Sequence, residues 1–213
     1  MDCFKTYYDF LVSENEKYNL TSITDYNEVT IKHFEDSLAL GKAINLSKVT
    51  TLVDVGTGAG FPGVPLKIVY PHLKVTLIEP TGKKCVFLNQ LVLKCDLKDV
   101  IIVNDRAENC SSLRETFDVA TSRAVGSLSM LLELCIPLLK VNGVLVAMKG
   151  PDFEEELKGI THALNCLHAS VVRITPYELS SGMGKRTLIT IRKNEATAKE
   201  YPRPFATMKK KPL

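Results

Sequence analysis

The stretch Asp54-Val55-Gly56-Thr57-Gly58-Ala59-Gly60-Phe61-Pro62-Gly63 can bring backbone N–H groups against a ligand. Glycine has no Cβ and tolerates φ > 0, so a turn rich in it permits close approach. The apolar run Thr51-Leu52-Val53 precedes the turn and reads as a buried strand. Val64, Leu66, Ile68 and Val69 follow it and read as a short helix, whose first N–H groups lack partners. A second apolar run, Val75-Thr76-Leu77-Ile78, ends in Glu79. An acid roughly 20 residues beyond a glycine turn suits the hydroxyls of a ribose. Together these residues point to a nucleoside-containing cofactor.

The register narrows the choice. Gly58 to Gly63 formally fits GxGxxG, the dinucleotide pattern, but the first glycine after the strand is Gly56 and the turn reads better as GxGxG. That register, with an acid after the second strand, is more typical of S-adenosylmethionine (SAM) sites than of NAD sites. Metal chemistry finds no support: six cysteines (3, 85, 95, 110, 135 and 166) and four histidines are scattered, with no CxxC. The cysteines read as small buried hydrophobes in a reducing cytosol.

These residues need elements to position them. Phe4, Tyr7, Tyr8 and Leu11 have helical spacing, Asn19-Leu20-Thr21 breaks that helix, and a second helix is expected over 28–44. From residue 51 the pattern alternates. Strands are expected at 51–55, 74–79, 99–103, 117–121 and 143–149, with helices at 63–70, 82–95 and 128–139. A helix at 153–165 and strands at 169–175 and 187–192 complete the set. Such alternation implies an α/β fold with a mostly parallel sheet covered by helices. Ligands bind beyond the carboxyl ends of such strands, and Gly56, Glu79, Asp105 and Arg123 all fall there. The expected division is a helical segment at 1–48, a cofactor-binding core at 49–194 and a basic tail at 195–213.

Length and composition fit one domain: 213 residues, 45% hydrophobic, with no apolar run near the ~20 residues that span a bilayer. Met1-Asp2-Cys3-Phe4-Lys5 lacks a secretory signal pattern, so a cytoplasmic location is expected. Within the tail, residues 199–213 hold Lys199, Arg203, Lys209, Lys210 and Lys211 against Glu200, a net +4, which leaves −1 for the rest of a +3 chain. A basic tail on a near-neutral body suggests an anionic partner, nucleic acid first, or else a solvated terminus.

Further residues carry a family resemblance: Tyr18-Asn19-Leu20-Thr21, Lys32-His33-Phe34-Glu35-Asp36-Ser37, the glycine turn, Arg106-Ala107-Glu108 and Thr121-Ser122-Arg123-Ala124-Val125. Leu134-Cys135-Ile136-Pro137-Leu138, Lys149-Gly150, Tyr201-Pro202-Arg203 and Lys210-Lys211-Pro212-Leu213 continue it. In this set and order the chain resembles the glucose-inhibited division protein B family, bacterial 16S rRNA (guanosine-N7) methyltransferases. The resemblance implies a Rossmann-like class I SAM-dependent methyltransferase fold with an N-terminal helical extension. It implies SAM as donor and a guanosine in helix 18 of 16S rRNA, in the small ribosomal subunit, as acceptor. It implies Gly56 and Phe61 at the cofactor (where the register of the turn also puts Gly58), Glu79 at the ribose, Ala107 and Glu108 beside the adenine, and Arg123 as catalytic residue close to both substrates. Pro80-Thr81 and Phe205-Ala206-Thr207-Met208 depart from the family pattern. No membrane and no obligate protein partner are implied.

Guanine N7 has a lone pair and no proton to lose, so its methylation needs alignment rather than a general base. The position after the fourth strand reads Thr121-Ser122-Arg123-Ala124, not the Pro-Pro-aromatic turn of exocyclic-amine enzymes. Cys135 sits on the apolar stripe of a helix and reads as core. Arg123 could orient guanine O6, hold a phosphate, or form a structural ion pair at a strand end. His33 reads as packed or capping. Lys149, Lys185, Arg186, Arg203, Lys209, Lys210 and Lys211 are candidate RNA contacts. Removal of the tail is expected to weaken RNA binding and to leave SAM affinity nearly unchanged; Tyr201, Pro202 and Phe205 are able to pack, so a tail that braces the sheet edge is the other reading. The alternatives are a non-catalytic ribosome-assembly factor on the same scaffold and a SAM enzyme with a non-RNA substrate.

Overall fold

The computed structural model describes residues 2–213. Asp2 caps helix α1 (Cys3–Tyr18), accepting from Phe4 N at 3.0 Å and Lys5 N at 3.3 Å. Asn19 ends it in the left-handed region (φ 51), which asparagine tolerates. The Asn15 carboxamide then accepts from Leu20 N and Thr21 N and folds the chain back.

The second expected helix exists but is not uniform. It comprises α2 (Tyr26–Val29), a π-helical turn (Thr30–Glu35), α3 (Asp36–Leu38) and a 3₁₀ turn (Ala39–Lys42). Within the π turn the Asp36 N–H reaches Ile31 O, five residues back. The Lys32 carbonyl is thereby released, and it accepts from Arg123 Nη1 at 3.0 Å. A wide turn of this kind typically marks a functional site.

Seven strands form one sheet: β1 (Thr51–Val55), β2 (Lys74–Ile78), β3 (Val100–Val103), β4 (Phe117–Arg123), β5 (Leu139–Lys149), β6 (Ala169–Glu178) and β7 (Lys185–Lys193). Their order is β3-β2-β1-β4-β5-β7-β6. The first five are parallel, and β7 runs antiparallel between β5 and β6. The strand order switches direction between β1 and β4, which opens a crevice beyond their carboxyl ends. The turn after β1, the acid after β2 and the last residue of β4 meet there.

The connecting helices are α4 (Gly63–Val69), α5 (Gly82–Lys94), α6 (Leu128–Cys135), α7 (Phe153–Lys158), α8 (Thr161–Cys166) and α9 (Phe205–Lys210). Helix α6 stops short of the expected residue 139 because Pro137 cannot continue it, and β5 begins at Leu139 instead. The expected helix 153–165 is two helices broken at Gly159 and Ile160. Helix α9 was not expected.

Neither end of the chain is an appendage. Tyr7, Phe10, Leu11 and Phe34 share one core with Leu52, Val64 and Leu77. Met208 (1% exposed) enters the core on the other side of the sheet with Leu131 and Leu134. The tail is anchored by Arg203, whose backbone N, Nε and Nη2 all donate to the buried Glu133 carboxylate at 2.7–2.8 Å. Arg203, expected to contact RNA, is therefore engaged inside the fold, because Glu133 is 1% exposed and needs a counter-charge. Arg203→Ala leaves that carboxylate buried and unpaired. We expect a loss of about 3 kcal/mol, read as a lower midpoint in chemical denaturation; an unchanged midpoint would show the pair to be dispensable.

Candidate active site

Gly56 (φ 69) and Gly58 (φ 60) both need the left-handed region. A Cβ at Gly56 would sit 2.4 Å from Val125 Cγ2, so the turn packs directly on the segment after β4. A Cβ at Gly58 would meet nothing within 4 Å. Gly58 instead borders a cleft of about 460 Å³, a volume suited to a nucleoside ligand. Glu79 fixes the turn: its Oε2 accepts from Gly58 N at 3.0 Å and its Oε1 from Thr81 N at 2.9 Å. Each oxygen keeps a lone pair that can face a ribose. Phe61, Glu79, Ala107, Glu108 and Arg123 border the same cleft, so the sequence-derived cofactor residues converge. This cradle fits SAM: open backbone at Gly58, a buried carboxylate at the rim, and apolar surface beyond it.

Arg123 is held from several sides. Its Nη1 donates to Asp36 Oδ2 at 2.9 Å as well as to Lys32 O, and its Nη2 approaches His33 Nδ1 at 3.3 Å. Asp36, 3% exposed, accepts from the Tyr177 hydroxyl at 2.6 Å through its other oxygen. The guanidinium carbon lies 5.1 Å from the Phe61 ring centroid, and His33 and Tyr7 stack on that ring at 4.5 and 5.1 Å. The Tyr7 hydroxyl donates to Ala59 O at 2.6 Å, so α1 steadies the glycine turn. Three of the five guanidinium N–H groups are used, which leaves two for a substrate.

A second cleft, about 550 Å³, shares His33, Arg123 and Ala124 with the first. Ala124 lies in the left-handed region (φ 60), and such strain is found where a chain must turn at a site. Lys149 and Arg186 border this second cleft. Lys149 donates to Glu156 Oε2 at 2.7 Å and to Gly126 O at 3.0 Å. Arg186 stands 3.9 Å from Asp36 Oδ1. Lys185, Lys209, Lys210 and Lys211 are exposed. Cys135 is buried in the core, as its apolar stripe indicates.

Sequence reasoning missed Tyr7, Asp36, Tyr177 and Phe205. Asp36 lay in the block Lys32–Ser37, but nothing local marks its partner 87 residues away. Phe205 borders the cofactor cleft, and Arg106 lies over its ring at 4.4 Å. The tail therefore walls the cofactor cleft, contrary to the expectation that its removal spares SAM affinity.

Two buried groups titrate in opposite directions. Burial, then the facing Arg123 guanidinium, pushes His33 down from 6.5 to about 4, so it is neutral near pH 7. Burial pushes Asp54 up from 3.8 to about 6, against hydrogen bonds from Thr57 and Gly63; its Oδ1 has no partner. Stability linked to His33 is present above pH 6.5 and is lost as pH falls toward 4. Stability linked to Asp54 is present below pH 3.8 and is lost as pH rises toward 6.

A family model described as rRNA small subunit methyltransferase G matches residues 1–183. The chain is 44% identical over 214 residues to Ribosomal RNA small subunit methyltransferase G of Staphylococcus carnosus (strain TM300), covering 99% of this chain and 89% of that protein. It is 46% identical over 212 residues to the protein of the same name from Staphylococcus saprophyticus, with the same coverage. Among solved structures it is similar to M. jannaschii TYW2 in complex with AdoMet, with a TM-score of 0.58 and 16% identity over 74% of this chain and 75% of that one. That last likeness is one of fold: both have the class I SAM-dependent methyltransferase architecture.

Gly58→Val puts a side chain into the open cleft and should abolish SAM binding in calorimetry; unchanged affinity would remove the cleft as the cofactor site. Phe205→Ala should weaken SAM binding about tenfold, the worth of one aromatic contact, with RNA absent. His33→Gln should lose less stability than the parent as pH falls from 6 to 4, because the His33 linkage is gone while every other titrating group is unchanged. Denaturant titrations at the two pH values read this directly, and parallel loss in both proteins would contradict it.

Proposed function

The chain belongs to the glucose-inhibited division protein B family, the rRNA small subunit methyltransferase G enzymes, and from that membership we propose that it methylates N7 of a guanosine in helix 18 of 16S rRNA. It is a SAM-dependent methyltransferase of rRNA; the bound donor supplies an electrophilic methyl group on a sulfonium sulfur. The observation that supports the N7 reading most strongly is the common wall of the two clefts at His33, Arg123 and Ala124. A donor in one cleft and a base in the other can meet there.

Gly56, Gly58 and Glu79 would hold the donor so that its methyl group passes to the N7 lone pair. The electron pair of the S–C bond would stay with the donor, and the positive charge would end on the guanine ring. No proton moves, so no base is needed. The groups at this wall suit that requirement. His33 is neutral and turned to Arg123, and both Asp36 oxygens are occupied by Arg123 and Tyr177. What the site offers is placement, which can be worth about 7–11 kcal/mol of barrier when reacting atoms are aligned.

In this reading the two free N–H groups of Arg123 face the guanine edge at O6. Gly56 and Gly58 let the donor approach the backbone, Glu79 faces its ribose, and Ala107 and Glu108 border its adenine. Lys149 reaches the acceptor cleft while paired to Glu156. Lys185, Arg186, Lys209, Lys210 and Lys211 supply cations for RNA phosphates. The division into residues 1–48, 49–194 and 195–213 is a functional one: the first segment holds Arg123 and Phe61 and lines both clefts through His33, the second supplies the glycine turn, Glu79 and Arg123, and the third closes the cofactor side.

Mass mapping of small-subunit rRNA from cells with and without the gene tests the reading. One methylguanosine should vanish from helix 18 in the deletion, and its N7 position should show as chain scission after reduction and aniline treatment. A complete methylation pattern in the deletion would contradict it. Single-turnover transfer should be flat between pH 6 and 9, since no proton is transferred; a limb near pH 7 would reveal a general base. Arg123→Lys keeps a charge for Asp36 but loses the fork, and should slow transfer about 100-fold. A parental rate in that variant would make Arg123 purely structural.

A further inference from the structure

A third cleft, about 410 Å³, lies beside the acceptor cleft between the start of α7 and the β6–β7 hairpin. Pro151, Phe153 and Pro176 supply apolar walls, and Lys185 and Arg186 supply cations. Arg186 borders both this cleft and the acceptor cleft. Its guanidinium is steered from two sides: Nη1 donates to Lys185 O at 2.9 Å, and Nε faces Asp36 Oδ1 at 3.9 Å. Lys185 is exposed, and Phe153 is only partly buried against the core.

We propose that this third cleft is a second nucleobase site, which takes the base next to the acceptor guanosine in the same RNA strand. The inference rests on the reading of the acceptor cleft given above. A base cannot enter that cleft while stacked, so its neighbour also loses a stacking partner and needs a new one. Flat apolar and aromatic surface is what an unstacked base seeks, whatever its sequence. One arginine between two base-sized clefts is placed to meet the phosphate that joins two successive nucleotides. Lys185 is placed for the phosphate beyond. No element of the cofactor cleft contributes to this site, so its occupancy and SAM binding are separable.

The test uses the full-length protein and fluorescein-labelled five-nucleotide RNAs with a central guanosine, read by anisotropy. Two further RNAs carry an abasic nucleotide in place of the 5′ or the 3′ neighbour. The parent should lose about tenfold in affinity for one of the two abasic RNAs. Phe153→Ala should bind intact and abasic RNA alike. Lys185→Ala changes only the surface, and it should lower the slope of log K against log salt by ~0.7. Equal affinity of the parent for all three RNAs would overturn the inference, and so would an intact preference in folded Phe153→Ala. Should Phe153→Ala not fold, the abasic comparison on the parent and the Lys185→Ala salt slope decide alone. If the parent methylates small-subunit RNA yet shows no neighbour preference, only this inference fails. If it neither binds the guanosine RNA nor methylates rRNA, the reading of function fails with it.

Discussion

The buried contact between Arg123 and Asp36 organises this molecule. It joins the last residue of β4 to a carboxylate in the N-terminal helical run, 87 residues earlier in the chain. A buried ion pair adds little net stability over an apolar replacement, but removing one partner leaves an uncompensated charge. What the pair fixes here is position. The π turn releases Lys32 O to the same guanidinium, and Tyr177 occupies the other Asp36 oxygen. Arg123 is thus held at the wall shared by two clefts with two donors still free. A reaction that moves no proton has little else to draw on besides such placement.

The Phe61 ring carries the same constraint to the cofactor side. Tyr7 and His33 stack on it and Arg123 lies against it, so α1, the π turn and β4 converge on one residue of the glycine turn. At the opposite wall, Phe205 borders the cleft from a tail that Arg203 and Met208 fasten to α6 and the second core. Both ends of the chain are therefore parts of the cofactor site. The sequence left open a tail that binds RNA and one that braces the fold; the anchored tail couples cofactor geometry to the segment that bears Lys209, Lys210 and Lys211.

The glycine turn, Glu79 and the strand positions were legible because their cause is local. A turn with φ > 0 demands glycine, and a parallel buried strand reads as an apolar run. The place of Arg123 at a strand end was also legible, and so were the cofactor and the family. The internal partners were not. Asp36, Tyr177, Glu133 and Arg203 are polar residues whose burial depends on contacts 70 to 141 positions away, and no spacing rule reaches that far. The π turn escaped because the partner of its Lys32 carbonyl, a guanidinium from β4, lies outside the helix. Pro137 lay in view as a breaker, yet the apolar stripe over 128–139 outweighed it, and Gly159 lay inside the expected helix 153–165. Helix α9 is short and held by tertiary contacts, so periodicity could not single it out.

The most direct test of this account is single-turnover methyl transfer to small-subunit rRNA by Asp36→Asn under saturating SAM. The amide still accepts from Tyr177, but it no longer holds the Arg123 guanidinium by charge. Transfer should slow by about 100-fold or more while calorimetric SAM affinity stays within a few-fold of the parent's. A parental transfer rate in the folded variant would contradict the claim that this ion pair positions the reaction.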